Sequence, residues 1–308
     1  MAVTVKDIKA LMELTGVGMM DCKRALVETD NDQEKAIEIL REKGLATQAK
    51  KSGRTAAEGL VVALVKGNVG ALVEVNTETD FAANTDDFKK FANAVAETII
   101  EANPADVEAL KACTISGGDA TVDATLTELA GMKIRENIQI RRFVRLEGVL
   151  ASYVHNGGSI GVLVKLDTEL DADKVAYIGK DVAMQSAALN PAYMCREQVP
   201  AEVLENEKEI MLKQMAEDPK MAKKPEQVKV KIVEGKVGKY YSENCLLEQT
   251  FVRSDLFDGT VAKYVADAAK KLGGTIEVVE CIRYERGEGV EKKADDFAAE
   301  VAAMAKGN

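Results

Sequence analysis

An α+β fold with more than one core is predicted for this chain from three observations. Apolar residues at helical spacing open it, two β-type hairpins each followed by an amphipathic helix occupy its middle, and a charge-rich helical stretch interrupts the second of these units. With 308 residues, of which 46% are hydrophobic, there is apolar material for about two ordinary domains.

The first 46 residues read as three short helices. Thr4 and Asp7 have the spacing of a capping box, and Ile8, Leu11 and Met12 then recur on one face until Gly16 and Gly18 break the helix. A second helix follows around Met19–Leu26. A third begins near Asn31, has Glu34 three residues on, carries Ala36, Ile37 and Leu40, and meets a stop at Gly44. The expectation is a small independent module over 1–46. Residues 47–57 are polar, basic and glycine-bearing, and read as a linker.

From Gly59 the runs LVVALV and ALVEV flank KGNVG, which reads as a hairpin, and a helix from about Thr85 puts Phe88, Phe91, Val95 and Ile99 on one face. The order then returns. GVLASYV and SIGVLVKL flank HNGG, and a helix from about Asp173 carries Val175, Ile178, Val182 and Met184 before Pro191. Residues 58–146 are expected to form one subdomain, and 147–199 with 242–286 a related one, each with an antiparallel sheet covered on one side. TVAKYVADAAKKLG and TIEVVECIRYE supply a helix and a strand that completes the second sheet.

Residues 200–241 carry Val203, Ile210 and Met215 in one helical arm and Val228, Ile232 and Val237 in another, separated by MAEDPKMAKKPEQ. That pattern is an antiparallel helical hairpin inserted in the second subdomain, able either to project and pair with a second copy or to fold back on the core. Residues 287–308 form a C-terminal module, in which Phe297, Val301 and Met304 stand at i, i+4 and i+7 of an amphipathic helix.

Acids outnumber bases 51 to 41, for a formal net charge of -10, so nucleic acid is a poor match as main partner. Five scattered cysteines with no metal-type spacing fit reduced thiols. Lys6, Asp7 and Lys9 fall where a signal peptide needs its apolar stretch, and no apolar run reaches a membrane-spanning length, so a soluble cytoplasmic protein with no membrane partner is expected. No P-loop, GxSxG, HExxH or strand–GxGxxG–helix pattern occurs. The one histidine, His155, lies in the HNGG turn, where a surface or partner-contacting role competes with that of a general base. Asp86 with Asp87, and Asp295 with Asp296, precede helical periods, where acids favour the positive end of a helix dipole. Neither an enzyme active site, a cofactor nor a metal site is expected.

The segments LMELTGVGMMDCKRAL and AIEILREKG resemble the N-terminal module of the elongation factor Ts family. EVNTETDFAAN at 74–84 is similar to the family's core motif, and SYVHNGGSIGVLV, MAKKPEQVKVKIVEGKVGKYYSENCLLEQTFVRS and GEGVEKKADDFAAEVAAMAK are similar to later family segments in the same order. The resemblance implies an N-terminal module of ubiquitin-associated type, a two-part core, a helical hairpin and a C-terminal module. It implies a non-enzymatic guanine-nucleotide exchange factor whose partner is elongation factor Tu, and whose TDF motif disturbs the partner's magnesium site. By position this motif is Thr79, Asp80, Phe81 and Ala82, with alanine where a larger aliphatic is common. Met19, Met20, His155, Phe297, Val301 and Met304 match further contact positions.

Read from the residues alone, Phe81 either plugs the gap between helix and sheet, which is what a phenylalanine between two apolar elements does first, or stands on an exposed turn. Asp80 either caps a helix or binds partner amides. Met19 and Met20, being adjacent, cannot both lie fully on one buried face, so at least one is expected at the surface.

Overall fold

The computed structural model describes residues 3–218, 221 and 224–291. The chain begins with α1 (Val5–Thr15), α2 (Met19–Glu28) and α3 (Gln33–Lys51). The capping box forms: the Asp7 amide donates to Thr4 Oγ1 at 3.3 Å and the Thr4 amide to Asp7 Oδ2 at 2.9 Å. Ile8, Leu11, Leu26 and Leu40 close a small core.

Two expectations fail here. Gly44 does not stop α3, which runs on to Lys51 through residues 47–51 of the expected linker. Nor is the module packed only on itself, because Met132 from the body of the protein enters its core. The reason is a close crossing. A Cβ on Gly131 would lie 2.2 Å from the Gly44 carbonyl oxygen, so the two backbones touch where neither residue has a side chain. Gly44 is there for contact, and α3 has enough helix formers beyond it to continue.

Next come β1 (Glu58–Lys66), β2 (Val69–Thr77), the four-residue α4 (Asp80–Ala83), α5 (Asp86–Ala102), α6 (Val107–Ala112) and α7 (Val122–Glu128). A π-helical turn (Leu129–Lys133) leads to β3 (Gln139–Glu147), which pairs with β2 and which the sequence reading did not single out. Gly148 then carries the chain into a second sheet of β4 (Val149–His155), β5 (Ile160–Thr168) and β6 (Ile276–Glu285), all antiparallel. Between β5 and β6 lie α8 (Ala172–Leu189), the hairpin arms α9 (Ala201–Glu217) and α10 (Glu226–Asn244), and α11 (Val261–Leu272).

The sheets run β1-β2-β3 and β4-β5-β6, and each has a register shift at its central strand, between Glu74 and Val75 and between Lys165 and Leu166. α5 covers the first sheet, with Phe88, Val95 and Ile99 on Val73 and Val75. α8 and α11 cover the second, where Val175, Ile178 and Val182 meet Val162 and Val164, and Phe251 stacks on Tyr264 with ring centroids 4.2 Å apart.

The expectation of sheets covered on one side is corrected. Val61 and Leu72 of the first sheet pack against Leu150 and Leu163 of the second, giving four layers, helix–sheet–sheet–helix. Gly161 is part of that approach, since a Cβ there would lie 2.5 Å from Val61 Cγ1. Near-continuous apolar runs such as LVVALV carry this signal, because a strand buried on both faces cannot alternate.

Candidate functional site

Strand β2 ends at Thr77, and the chain turns at once into α4. Thr79 caps that helix, its hydroxyl accepting the Ala82 amide at 3.2 Å. The other end is closed by Asn84 Nδ2 donating to the Asp80 carbonyl at 3.0 Å and Thr85 Oγ1 donating to the Ala82 carbonyl at 2.7 Å. Thr85 in turn caps α5.

Within this pinned turn Ala82 and Ala83 face inward and are buried, while Phe81 is 82% exposed. The gap-filling reading of Phe81 is thereby overturned: the small residues Ala82 and Ala83 face inward, and the ring stands in solvent. Ala82, carried over as a contact residue, is only 5% exposed, so its side chain supports the turn from beneath. Asp80 is the first residue of α4 and stands at the surface, while the cap is Thr79.

Beneath the turn lies a support absent from the sequence reading. Glu136 accepts hydrogen bonds from Thr77 Oγ1 at 2.9 Å, the Thr79 amide at 3.0 Å and Thr79 Oγ1 at 2.7 Å. Beside it, the Asn137 amide donates to Glu78 Oε1 at 2.7 Å, and Asn137 Nδ2 donates to the Arg54 carbonyl at 2.6 Å. Arg135 pairs with Asp21. Its hydrogen bond is the main reason the Asp21 carboxyl is held below the usual carboxylate range, against an opposing effect of partial burial.

Asp21 follows Met19 and Met20 directly. Both methionines are exposed, at 49% and 65%, in the first turn of α2. Residues 135–137 thus join the two candidate contact regions: Arg135 holds the methionine helix, and Glu136 holds the Phe81 turn. No periodicity marks Glu136. It lies 57 residues from Thr79 and reaches it because the residues after β2 meet those before β3.

His155 ends β4 at the surface. Its Nδ1 is 3.0 Å from the Tyr153 hydroxyl, and the two rings are tilted with centroids 6.0 Å apart. It belongs to the other sheet and has no hydrogen bond to the Phe81 turn among those described. Phe297, Val301 and Met304 lie outside the described residues. Among the described residues, no group of three His, Cys, Asp or Glu side chains is placed to hold a metal ion, and no helix is long and apolar enough to cross a membrane. The five cysteines are unpaired thiols.

The architecture, two antiparallel three-stranded sheets flanked by helices, is that of an α+β protein that presents Phe81 to solvent on this turn. Residues 78–288 match the family described as Elongation factor TS, from the residue before the Thr79 cap to the chain after β6. The chain is also 47% identical to the elongation factor Ts of Syntrophotalea carbinolica over 310 residues, covering 99% of this chain and 100% of that one. It is 45% identical to that of Trichlorobacter lovleyi and 47% identical to that of Clostridium kluyveri, in each case over 99% of both chains. The chain belongs to the elongation factor Ts family, and so to the factors of translation elongation.

Proposed function

We propose that this chain is a guanine-nucleotide exchange factor that binds elongation factor Tu in its GDP form and promotes GDP release, so that GTP can bind. The observation that carries the reading is Phe81, exposed on a turn whose every end is hydrogen-bonded. GDP on a GTPase is held by a phosphate loop and by magnesium, whose charge offsets the phosphates. A ring driven beside that ion, with Asp80 next to it, displaces the elements that hold both. The factor carries out no covalent step and needs no cofactor. It stabilises the nucleotide-free partner, and by linkage nucleotide and factor weaken each other's binding by the same factor. A thousandfold faster release corresponds to about 4 kcal/mol of differential stabilisation.

Met19 and Met20 supply a second, adaptable contact, and His155 a third. Phe297, Val301 and Met304 extend the same interface. The arms α9 and α10 bury chiefly Met215 and Val233 and leave Ile210, Leu212, Val228 and Val230 exposed, which supports the hairpin as the surface for a homodimer. The function belongs in the cytoplasm with the translation machinery, without direct nucleic-acid or membrane binding.

The test is release of a fluorescent GDP analogue from purified elongation factor Tu in millimolar magnesium. Acceleration at substoichiometric amounts of this chain is expected. An unchanged release rate with a partner from the same source would overturn the reading.

A further inference from the structure

We propose that Glu136 is a positioning residue for nucleotide exchange: its carboxylate fixes the height and heading of the turn that presents Phe81. The inference rests on the functional reading above and adds how this chain keeps the ring in place.

A helix of four residues cannot hold its own shape, because helix nucleation is unfavourable until several turns are joined. The order of α4 must come from outside it. Glu136 supplies that order by taking three donors on two oxygens: the Thr77 hydroxyl and the Thr79 amide on Oε2, and the Thr79 hydroxyl on Oε1. The Thr79 hydroxyl oxygen, oriented by this contact, then accepts the amide of Ala82, the residue after Phe81. One carboxylate therefore reaches both flanks of the ring through a single threonine.

Glu136 is itself anchored on both sides. Arg135, at φ +62°, pairs with Asp21, and its carbonyl accepts from Lys51 Nζ. Asn137 is held by Glu78 and by the carbonyls of Ser52 and Arg54. The loop thus has supports on α2, on the end of α3 and the turn that follows it, and on Glu78 in the segment leading into the Phe81 turn.

The geometry separates two substitutions. In Glu136→Gln the amide oxygen can take the Oε2 place and accept from Thr77 and Thr79, while its NH2 donates to the Thr79 hydroxyl. In Glu136→Ala the Thr79 amide loses its acceptor and the cap loses its orientation.

The experiment measures GDP-analogue release from elongation factor Tu against concentration of the full-length chain, for wild type, Glu136→Ala and Glu136→Gln, with amide hydrogen exchange over residues 77–85. Glu136→Ala is expected to lower the maximal release rate by about tenfold to a hundredfold. The half-saturating concentration should move less than about threefold, since the remaining contacts are distributed. Amide exchange in the turn should rise. Glu136→Gln should recover most of the rate and the protection. If Glu136→Ala lowers the melting temperature, Thr79→Val reads the same contact from its other end. Wild-type release rates in Glu136→Ala with a loosened turn would overturn the proposal, as would equal losses in Gln and Ala that track melting temperature. A wild-type chain that fails to accelerate release overturns the functional reading itself, and is told apart because the failure needs no substitution.

Discussion

Phe81 and Thr79 do opposite work in one turn. Phe81 gives almost nothing to stability where it stands, so Phe81→Ala should leave the unfolding free energy within about 0.5 kcal/mol of wild type. A melting curve checks this; a large fall would return the ring to a packing role. Thr79→Ala removes a cap and should cost about 1 kcal/mol, felt mainly as faster amide exchange at residues 79–84. Undiminished protection would show that the cap is redundant. Thr79, Asp80 and Phe81 were legible in the sequence as a motif, but the heading of Phe81 was not, because a residue between the end of a strand and the start of a helix belongs to neither period. The buried small pair Ala82 and Ala83 decides it, and two alanines carry no pattern before the fold is known. Glu136 was illegible for a plainer reason: its partners become neighbours only through the β2–β3 pairing.

Helices and strands with long apolar periods were read well, since α5 buries Phe88, Phe91, Val95 and Ile99 and the hairpins close where glycine and asparagine place them. The failures came where two elements meet. Gly44 in isolation reads as a stop, and only its contact with Gly131 shows it as a crossing point. Gly131→Ala would force the backbones apart and should cost about 1–3 kcal/mol by overpacking. Proteolysis within residues 46–57 should become faster while the two-sheet body keeps its melting transition. Unchanged cleavage would mean that the first three helices do not depend on that crossing. The second face of each sheet was missed in the same way, because partners for Val61 and Leu72 lie some 80 to 100 residues away on Leu150 and Leu163.

Across the whole molecule, the two sheets and the chain after β6 converge on Glu74, which is fully buried. Its carboxylate accepts from the Gly287 amide at 2.7 Å, Asn76 Nδ2 at 3.0 Å, Arg142 Nε at 2.7 Å and Arg141 Nη1 at 3.1 Å, while Arg142 also lies 4.1 Å over the ring of Tyr284. Burial alone would raise this carboxyl's pKa. The Gly287 amide, Asn76 and Arg142 together outweigh burial and hold it below the usual glutamate range. A carboxyl depressed in the folded state stabilises it above the unfolded value, and that stability is lost as pH falls through the folded value. Urea unfolding should therefore show stability falling as pH drops below the usual glutamate range, with a shallower acid slope in Glu74→Gln. Equal slopes would place the acid sensitivity elsewhere.

The account stands or falls on the ring that the whole scaffold holds in solvent. Release of a fluorescent GDP analogue from elongation factor Tu should be accelerated by the wild-type chain and should lose about tenfold or more of that acceleration in Phe81→Ala, an amount that corresponds to about 1.4 kcal/mol of barrier. Full acceleration by a folded Phe81→Ala chain would contradict it.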